Sequence, residues 1–199
     1  DYLKGDPVDG LSILISDESG NLRDTGGALK QAADLLRGSG HILVHNADVI
    51  TDLDLNSLIE SHINSNALAT LAVRKRDSSR YLLVDGDEHL TGWHNTTTGE
   101  YLWVRGSVAP HHRMAFSGVY ILSERVLDML PEREKFGIIP FLLDMAASHK
   151  VMTHAHDYGI WTDLGRPADL QSMDRWLSGV EGKHWTDKYL AGWSPSLPV

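Results

Sequence analysis

The chain of 199 residues has no cysteine, so disulfides and thiolate metal sites are excluded. It has no apolar run long enough to span a bilayer and no signal-peptide pattern at its start, which together point to the cytosol. Positive charge is scarce: 18 Lys and Arg stand against 27 Asp and Glu, a net charge of −9. That argues against a nucleic-acid surface, which needs a basic field. A nucleotide is not excluded, because a cation and backbone N–H groups can meet its phosphates locally. A serine nucleophile elbow, a Walker loop and a G-x-G-x-x-G loop are absent. With 42% hydrophobic and 23% charged residues, what remains is the composition of an ordinary globular protein, and the length is enough for one sizeable α/β domain.

Two short segments are the most informative. In His41-Ile42-Leu43-Val44-His45-Asn46-Ala47-Asp48-Val49 an apolar strand ends in an acid. The carboxyl end of a central strand is where open α/β sheets bind ligands, and Asn46 and Ala47 leave room for close approach. In Ile160-Trp161-Thr162-Asp163-Leu164-Gly165-Arg166-Pro167 an acid occupies a tight turn before a proline-opened helix. Two such carboxylates from distant parts of a chain can hold one Mg²⁺, which neutralises nucleotide phosphates. The plainer alternatives are an Asx bond for Asp48 and a helix cap for Asp163. Trp161 is either core or an apolar wall for a sugar face. Asp52 and Asp54 look like a D-x-D pair but read better as acids favoured at a helix start.

The pair Gly26-Gly27 after Asp24-Thr25 opens a helix. It either exposes N–H groups to a flat ring or phosphate or simply forms a turn. His154-x-His156 has the alternation of a two-histidine metal pair, yet no third ligand beyond Asp157 is near, so a structural role is favoured. Asn95-Thr96-Thr97 matches a glycosylation sequon with no secretion signal to support its use.

Periodicity predicts a strand over Leu11–Ile15, a helix over Ala28–Leu36, a buried strand over Ile42–His45, a helix from about Leu53 to Ile63, and a strand over Leu68–Arg74. This β-α-β-α-β order suggests a parallel sheet with covering helices. Residues of about 80–105 read as a small antiparallel β insertion. A strand follows over Met114–Leu122, a helix capped by Ser123, a helix over Ile138–Ser148, a strand over Val151–His156 and a helix over Pro167–Leu177. A tail from about 179 to 199 reads as irregular. No repeat and no linker divides the chain, so a single domain over 1–199 is expected. Asp1–Gly5 looks like the last turn of a helix, so the domain is expected to be incomplete at its N-terminus.

In order, Ile15-Ser16-Asp17-Glu18, Asp24-Thr25-Gly26-Gly27, Asn46-Ala47-Asp48-Val49, Phe116-Ser117-Gly118-Val119-Tyr120 and Trp161–Pro167 resemble the sugar-1-phosphate nucleotidyltransferases. The likeness is to the mannose-1-phosphate guanylyltransferase-like and N-acetylmuramate-1-phosphate uridylyltransferase-like branch. The resemblance implies a Rossmann-like, GT-A-like three-layer sandwich with a mostly parallel sheet. It implies attack of a sugar-1-phosphate oxygen on the α-phosphorus of an NTP, with pyrophosphate leaving. Carried over by motif, Asp48 and Asp163 would hold Mg²⁺, Thr25, Gly26 and Gly27 would meet the base beside Asn46 and Ala47, and Ser117, Gly118 and Trp161 would lie by the sugar. The family's G-x-G-T-R loop with its Pro-Lys pair has no counterpart here. Its Glu-Lys-Pro sugar motif is replaced by Thr91-Gly92-Trp93-His94-Asn95. Little turnover is therefore expected from residues 1–199 alone, and self-association into a homo-oligomer is compatible with the pattern. The alternatives are a non-catalytic nucleotide-sugar-binding homologue and a GT-A-type glycosyltransferase.

Overall fold

The computed structural model describes residues 12–104 and 111–189. The described residues group into two compact units, one from residues up to His45 plus Asp54–Asp157, the other from Asn46–Leu53 plus residues from Tyr158 onward.

In the first unit the elements run α1 (Asp24–Gln31), α2 (Ala33–Leu36) and β1 (His41–His45). After the second unit's β2 (Val49–Thr51), they continue with α3 (Leu55–Ser65), β3 (Ala69–Arg74), β4 (Arg80–Val84), β5 (Leu90–Asn95), β6 (Glu100–Trp103), β7 (His112–Ser123), a 3₁₀ turn (Glu124–Met129), α4 (Ile138–Ala146) and β8 (Val151–Ala155). The sheet order is β6-β5-β4-β7-β3-β8, with β1 also paired to β7. Alternate residues of β3 serve opposite faces, as a pleat requires. Leu71 and Val73 join the core with Leu29 of α1 and Phe141 and Leu142 of α4. Thr70 points the other way and bonds His62 of α3 at 2.9 Å. Helices therefore cover both faces, and the α/β class expected from the sequence stands.

The balance of the sheet differs from the expected mostly parallel arrangement. Among the described strands only β3 and β8 pair in parallel; β7 lies antiparallel between β1 and β3. The continuous apolar runs of Ile42–Val44 and Ala69–Val73 report burial of strands on both faces, which carries no information about a neighbour's direction. The insertion at about 80–105 is antiparallel as expected, and β4 joins it in plane to β7.

The expected strand over Leu11–Ile15 does not form within the described residues 12–18, where Leu14 and Ile15 are more than half exposed. Residues 1–11, including the reading of Asp1–Gly5, lie outside the described residues. Two helix starts moved. α1 begins at Asp24, four residues earlier than expected, because the Phe136 carbonyl accepts the N–H groups of both Gly26 and Gly27 (2.9 and 3.2 Å) and so satisfies first-turn donors. α3 begins at Leu55, two residues later than expected, because Asp54 caps it by accepting from Asn56 and Ser57. Ser123 makes no side-chain cap, and a 3₁₀ turn follows it in place of an α-helix.

In the second unit β2 pairs antiparallel with β9 (Trp161–Asp163), followed by α5 (Pro167–Leu177) and α6 (Val180–Tyr189). The tail expected to be irregular is thus helical as far as Tyr189, and residues 190–199 lie outside the described residues. Gly182 lies inside α6. It lets α6 approach α5 closely, since a Cβ there would lie 2.2 Å from the Trp176 carbonyl. Trp176 and Trp185 then meet edge to face at 6.2 Å.

Candidate functional site

The second unit brings together the two acids singled out in the sequence. β2 and β9 form a three-residue ladder in which Val49 faces Asp163 and Thr51 faces Trp161. The Leu164 N–H donates to the Asp48 carbonyl at 2.7 Å, drawing the turn after β9 onto the turn before β2. Both carboxylates flank Gly165: a Cβ placed there would lie 3.0 Å from Asp163 Oδ1 and 3.5 Å from Asp48 Oδ2. Asp163 Oδ1 accepts the Gly165 N–H at 2.8 Å, which fixes its rotamer. Asp48 and Asp163 are both exposed, so their charges keep their hydration.

Asp52 has a different task. Its Oδ1 accepts the Ile160 N–H at 2.7 Å and its own N–H reaches the Ile160 carbonyl at 3.3 Å, closing the far end of the ladder. Gly159 at φ +81 is required there, because a Cβ would lie 2.2 Å from Asp52 Oδ1. Asp54 caps a helix and Asp52 closes the ladder, so both acids of the D-x-D pair have structural tasks. Among the described residues, no group of three or more His, Asp or Glu side chains is arranged to hold a metal. Two exposed carboxylates with room for water suit Mg²⁺, which keeps several waters and takes one or two carboxylates beside substrate phosphates.

The remaining predicted residues belong to the first unit. Thr25 Oγ1 accepts the Ile138 N–H at 3.0 Å and so caps α4 from a neighbouring segment. It also lines a groove of about 410 Å³ beside β1, with Ala28, Val44 and His45. Gly26 and Gly27 are buried against the 134–136 segment. A Cβ on Gly26 would strike the Phe136 ring at 2.3 Å, and one on Gly27 the Glu134 carbonyl at 2.2 Å. The need for glycine at both positions is met by this packing.

Ser117 and Gly118 form an irregularity in β7. Leu71 pairs with Tyr120 and Val73 with Phe116, so the β7 side carries extra residues and Gly118 takes φ +76. Bulges of this kind re-aim the chain next to active sites. Ser117 is wholly buried, and His156 Nε2 lies 2.7 Å from its Oγ. The sequence reading missed this pairing. His156 stood out only as half of a metal pair, and its true neighbour is 39 residues away with no local signal. His154, on β8, is held below the ordinary histidine pKa chiefly by burial.

Comparison with known proteins follows the same outline. A family profile described as Nucleotidyl transferase matches residues 8–177. Mannose-1-phosphate guanylyltransferase 1 of Arabidopsis thaliana is 29% identical over 167 residues, covering 80% of this chain and 42% of the relative. "Probable mannose-1-phosphate guanylyltransferase 3" of the same plant is 30% identical over 168 residues, covering 83% and 48%. The chain thus spans less than half the length of these relatives. A Bacillus anthracis crystal structure, described as a glucose-1-phosphate thymidylyltransferase in complex with a sucrose, superposes with a TM-score of 0.60 at 16% identity. It covers 79% of this chain and 62% of that one, a likeness of fold.

Proposed function

Because the chain belongs to the nucleotidyl transferase family, we propose that it transfers a nucleotidyl group from an NTP to a sugar-1-phosphate, with Asp48 and Asp163 as the residues that hold Mg²⁺. A phosphate oxygen of the sugar-1-phosphate bonds to the α-phosphorus, the bond from that phosphorus to the bridging oxygen of the β-phosphate breaks, and pyrophosphate leaves with the electron pair. The observation that carries this reading is the convergence of Asp48 and Asp163 on Gly165. Mg²⁺, when bound, supplies charge neutralisation at the phosphates.

The chain's own residues supply position. The β2–β9 ladder and the Leu164–Asp48 bond hold the two carboxylates before any ligand arrives, and such preorganisation is the main source of rate in phosphoryl chemistry. Asn46, Ala47 and the Thr25 side of the Thr25–Gly27 segment are the nucleotide-facing part of the proposal. The donors of Gly26 and Gly27 are spent on Phe136, so base contact falls to Thr25. Trp161 and the Ser117–Gly118 bulge are the sugar-facing part. The Ser117 hydroxyl is turned inward to His156, so it acts by shaping the bulge.

The test is pyrophosphate release with a panel of NTPs and sugar-1-phosphates, beside calorimetric titration of nucleotide sugars with and without Mg²⁺. Asp48→Asn and Asp163→Asn should each lower Mg²⁺-dependent release, or binding where turnover is absent, by roughly 10²-fold or more. Both positions are exposed, so the thermal midpoint should stay put. Unchanged affinity in both variants removes the metal assignment, and binding with no release by the wild type leaves a nucleotide-sugar-binding protein.

A further inference from the structure

Away from the Asp48–Asp163 ladder, the sheet of the first unit curls back on itself. The loop between β4 and β5 reaches across to β8, where His89 bridges Met152. Thr153 gives both its N–H (2.8 Å) and its hydroxyl (3.1 Å) to the Glu88 carbonyl. β4, β7, β3, β8 and this loop thereby close a ring. Its mouth, at the carboxyl ends of β3 and β8, holds a cavity of about 400 Å³. Cavities of roughly 300–1,000 Å³ in the mouths of β-barrels are a common form of small-molecule site.

The cavity has an apolar floor and an ionic rim. Val73, Val84 and Met114 are buried and form the floor. Asp85, Glu88 and Asp157 stand on the rim. Asp85 Oδ1 is fixed by the N–H groups of Asp87 and His89 (3.0 and 2.9 Å), and Asp157 Oδ1 by that of Lys75 (2.7 Å). Lys75 Nζ sits 3.6 Å from Asp157 Oδ2 and offsets that acid. Of the other basic wall residues, Arg113 gives its Nη2 to the Tyr101 hydroxyl at 3.1 Å and His112 is exposed. Asp85 Oδ2 also lies 3.4 Å from His89 Nδ1, and Arg113 keeps its charge beside the neutral phenol; with Asp85, Glu88 and Asp157 set against Lys75 and Arg113, the lining carries one net negative charge.

We propose that this cavity binds a small organic cation with an apolar body, of the alkylammonium class. The apolar part would rest on Val73, Val84 and Met114 and the ammonium would face Asp85 and Glu88. The proposal does not depend on the nucleotidyl transfer reading, since none of these residues belongs to that site.

Calorimetric or NMR titration with butylammonium, its uncharged counterpart butanol and the anion butyrate tests it. Butylammonium should bind saturably and more weakly as salt rises, and the other two should not. Glu88→Gln should weaken butylammonium binding about fivefold, the factor carried by one nearby charge at an exposed site. Ala155→Leu, an exposed position at the mouth, should weaken it at least as much by filling the opening. Both positions lie outside the core, so an unchanged thermal midpoint confirms a folded protein. No saturable binding of butylammonium, equal binding of butanol, a preference for butyrate, or indifference to Ala155→Leu would overturn the proposal.

Discussion

Gly27 shows how one residue can be legible in kind and misread in purpose. Its sequence context pointed to close backbone approach, and the close approach is real, but the partner is Glu134 of the same chain at 2.2 Å from where a Cβ would stand. Gly27→Ala should therefore cost stability directly, by about 1–3 kcal/mol for an overpacked backbone contact, read as a lower denaturation midpoint in the absence of any ligand. A normal midpoint with weakened nucleotide binding would return Gly27 to the base site. His62 is a second case. It is 1% exposed, bonded to Thr70 on one side and 3.2 Å from His41 on the other. Burial is the larger cause, and His41 the lesser, that hold its pKa down at about 4. The unfolded chain, titrating near 6.5, binds this proton first. The stability contributed by neutral His62 is thus complete above about pH 6.5 and is lost as pH falls toward 4. The loss should amount to roughly 1–3 kcal/mol, with His154 adding in the same direction. Urea denaturation between pH 7 and 4 measures it, and His62→Gln should flatten the slope.

At the scale of elements, helices and strands were largely where periodicity placed them, because burial leaves its imprint within a window of a few residues. Pro167–Leu177 is the helix expected to the residue, and β8 lies within one residue of expectation. What was illegible depended on distant partners. The direction of β7 between β1 and β3, the earlier start of α1 on the Phe136 carbonyl, and the continuation of α6 through Gly182 are each settled by a contact far along the chain. The β7 bulge belongs with them, since a Ser-Gly pair inside an apolar run reads as a weak spot in a strand. Gly118 at φ +76 makes it a defined feature. A non-glycine residue there enters the left-handed region at a cost of about 1–2 kcal/mol. Gly118→Ala should lower the denaturation midpoint accordingly and, on the proposed function, weaken sugar-1-phosphate binding more than NTP binding. Equal weakening of the two ligands would mean that the bulge does not serve the sugar.

For the whole molecule, the two acids were recognisable from their local contexts, and the reason they meet is not local. The second unit is assembled from Asn46–Leu53 and a segment beginning at Tyr158, more than a hundred residues later, so no change of composition or linker marks its edges. Burial is unevenly shared between the units. The large apolar cluster, from Leu29 to Val151, lies entirely in the first. Among the described residues, Val49 and Met173 are the only buried apolar side chains of the second. Opening free energies follow such differences, since a segment with few buried apolar contacts opens at a small fraction of the global stability. Amides of β2, β9 and α5 should therefore exchange with solvent much faster than those of β3 and β7 in native-state hydrogen exchange. If Mg²⁺ binds between Asp48 and Asp163, adding it with a nucleotide sugar should slow exchange selectively across Val49–Thr51 and Trp161–Gly165, because a ligand that binds only the closed ladder stabilises it by mass action. Uniform slow exchange throughout would show that the second unit opens only with the first. Protection confined to β3 and β7 on adding ligand would place the nucleotide sugar away from the two carboxylates.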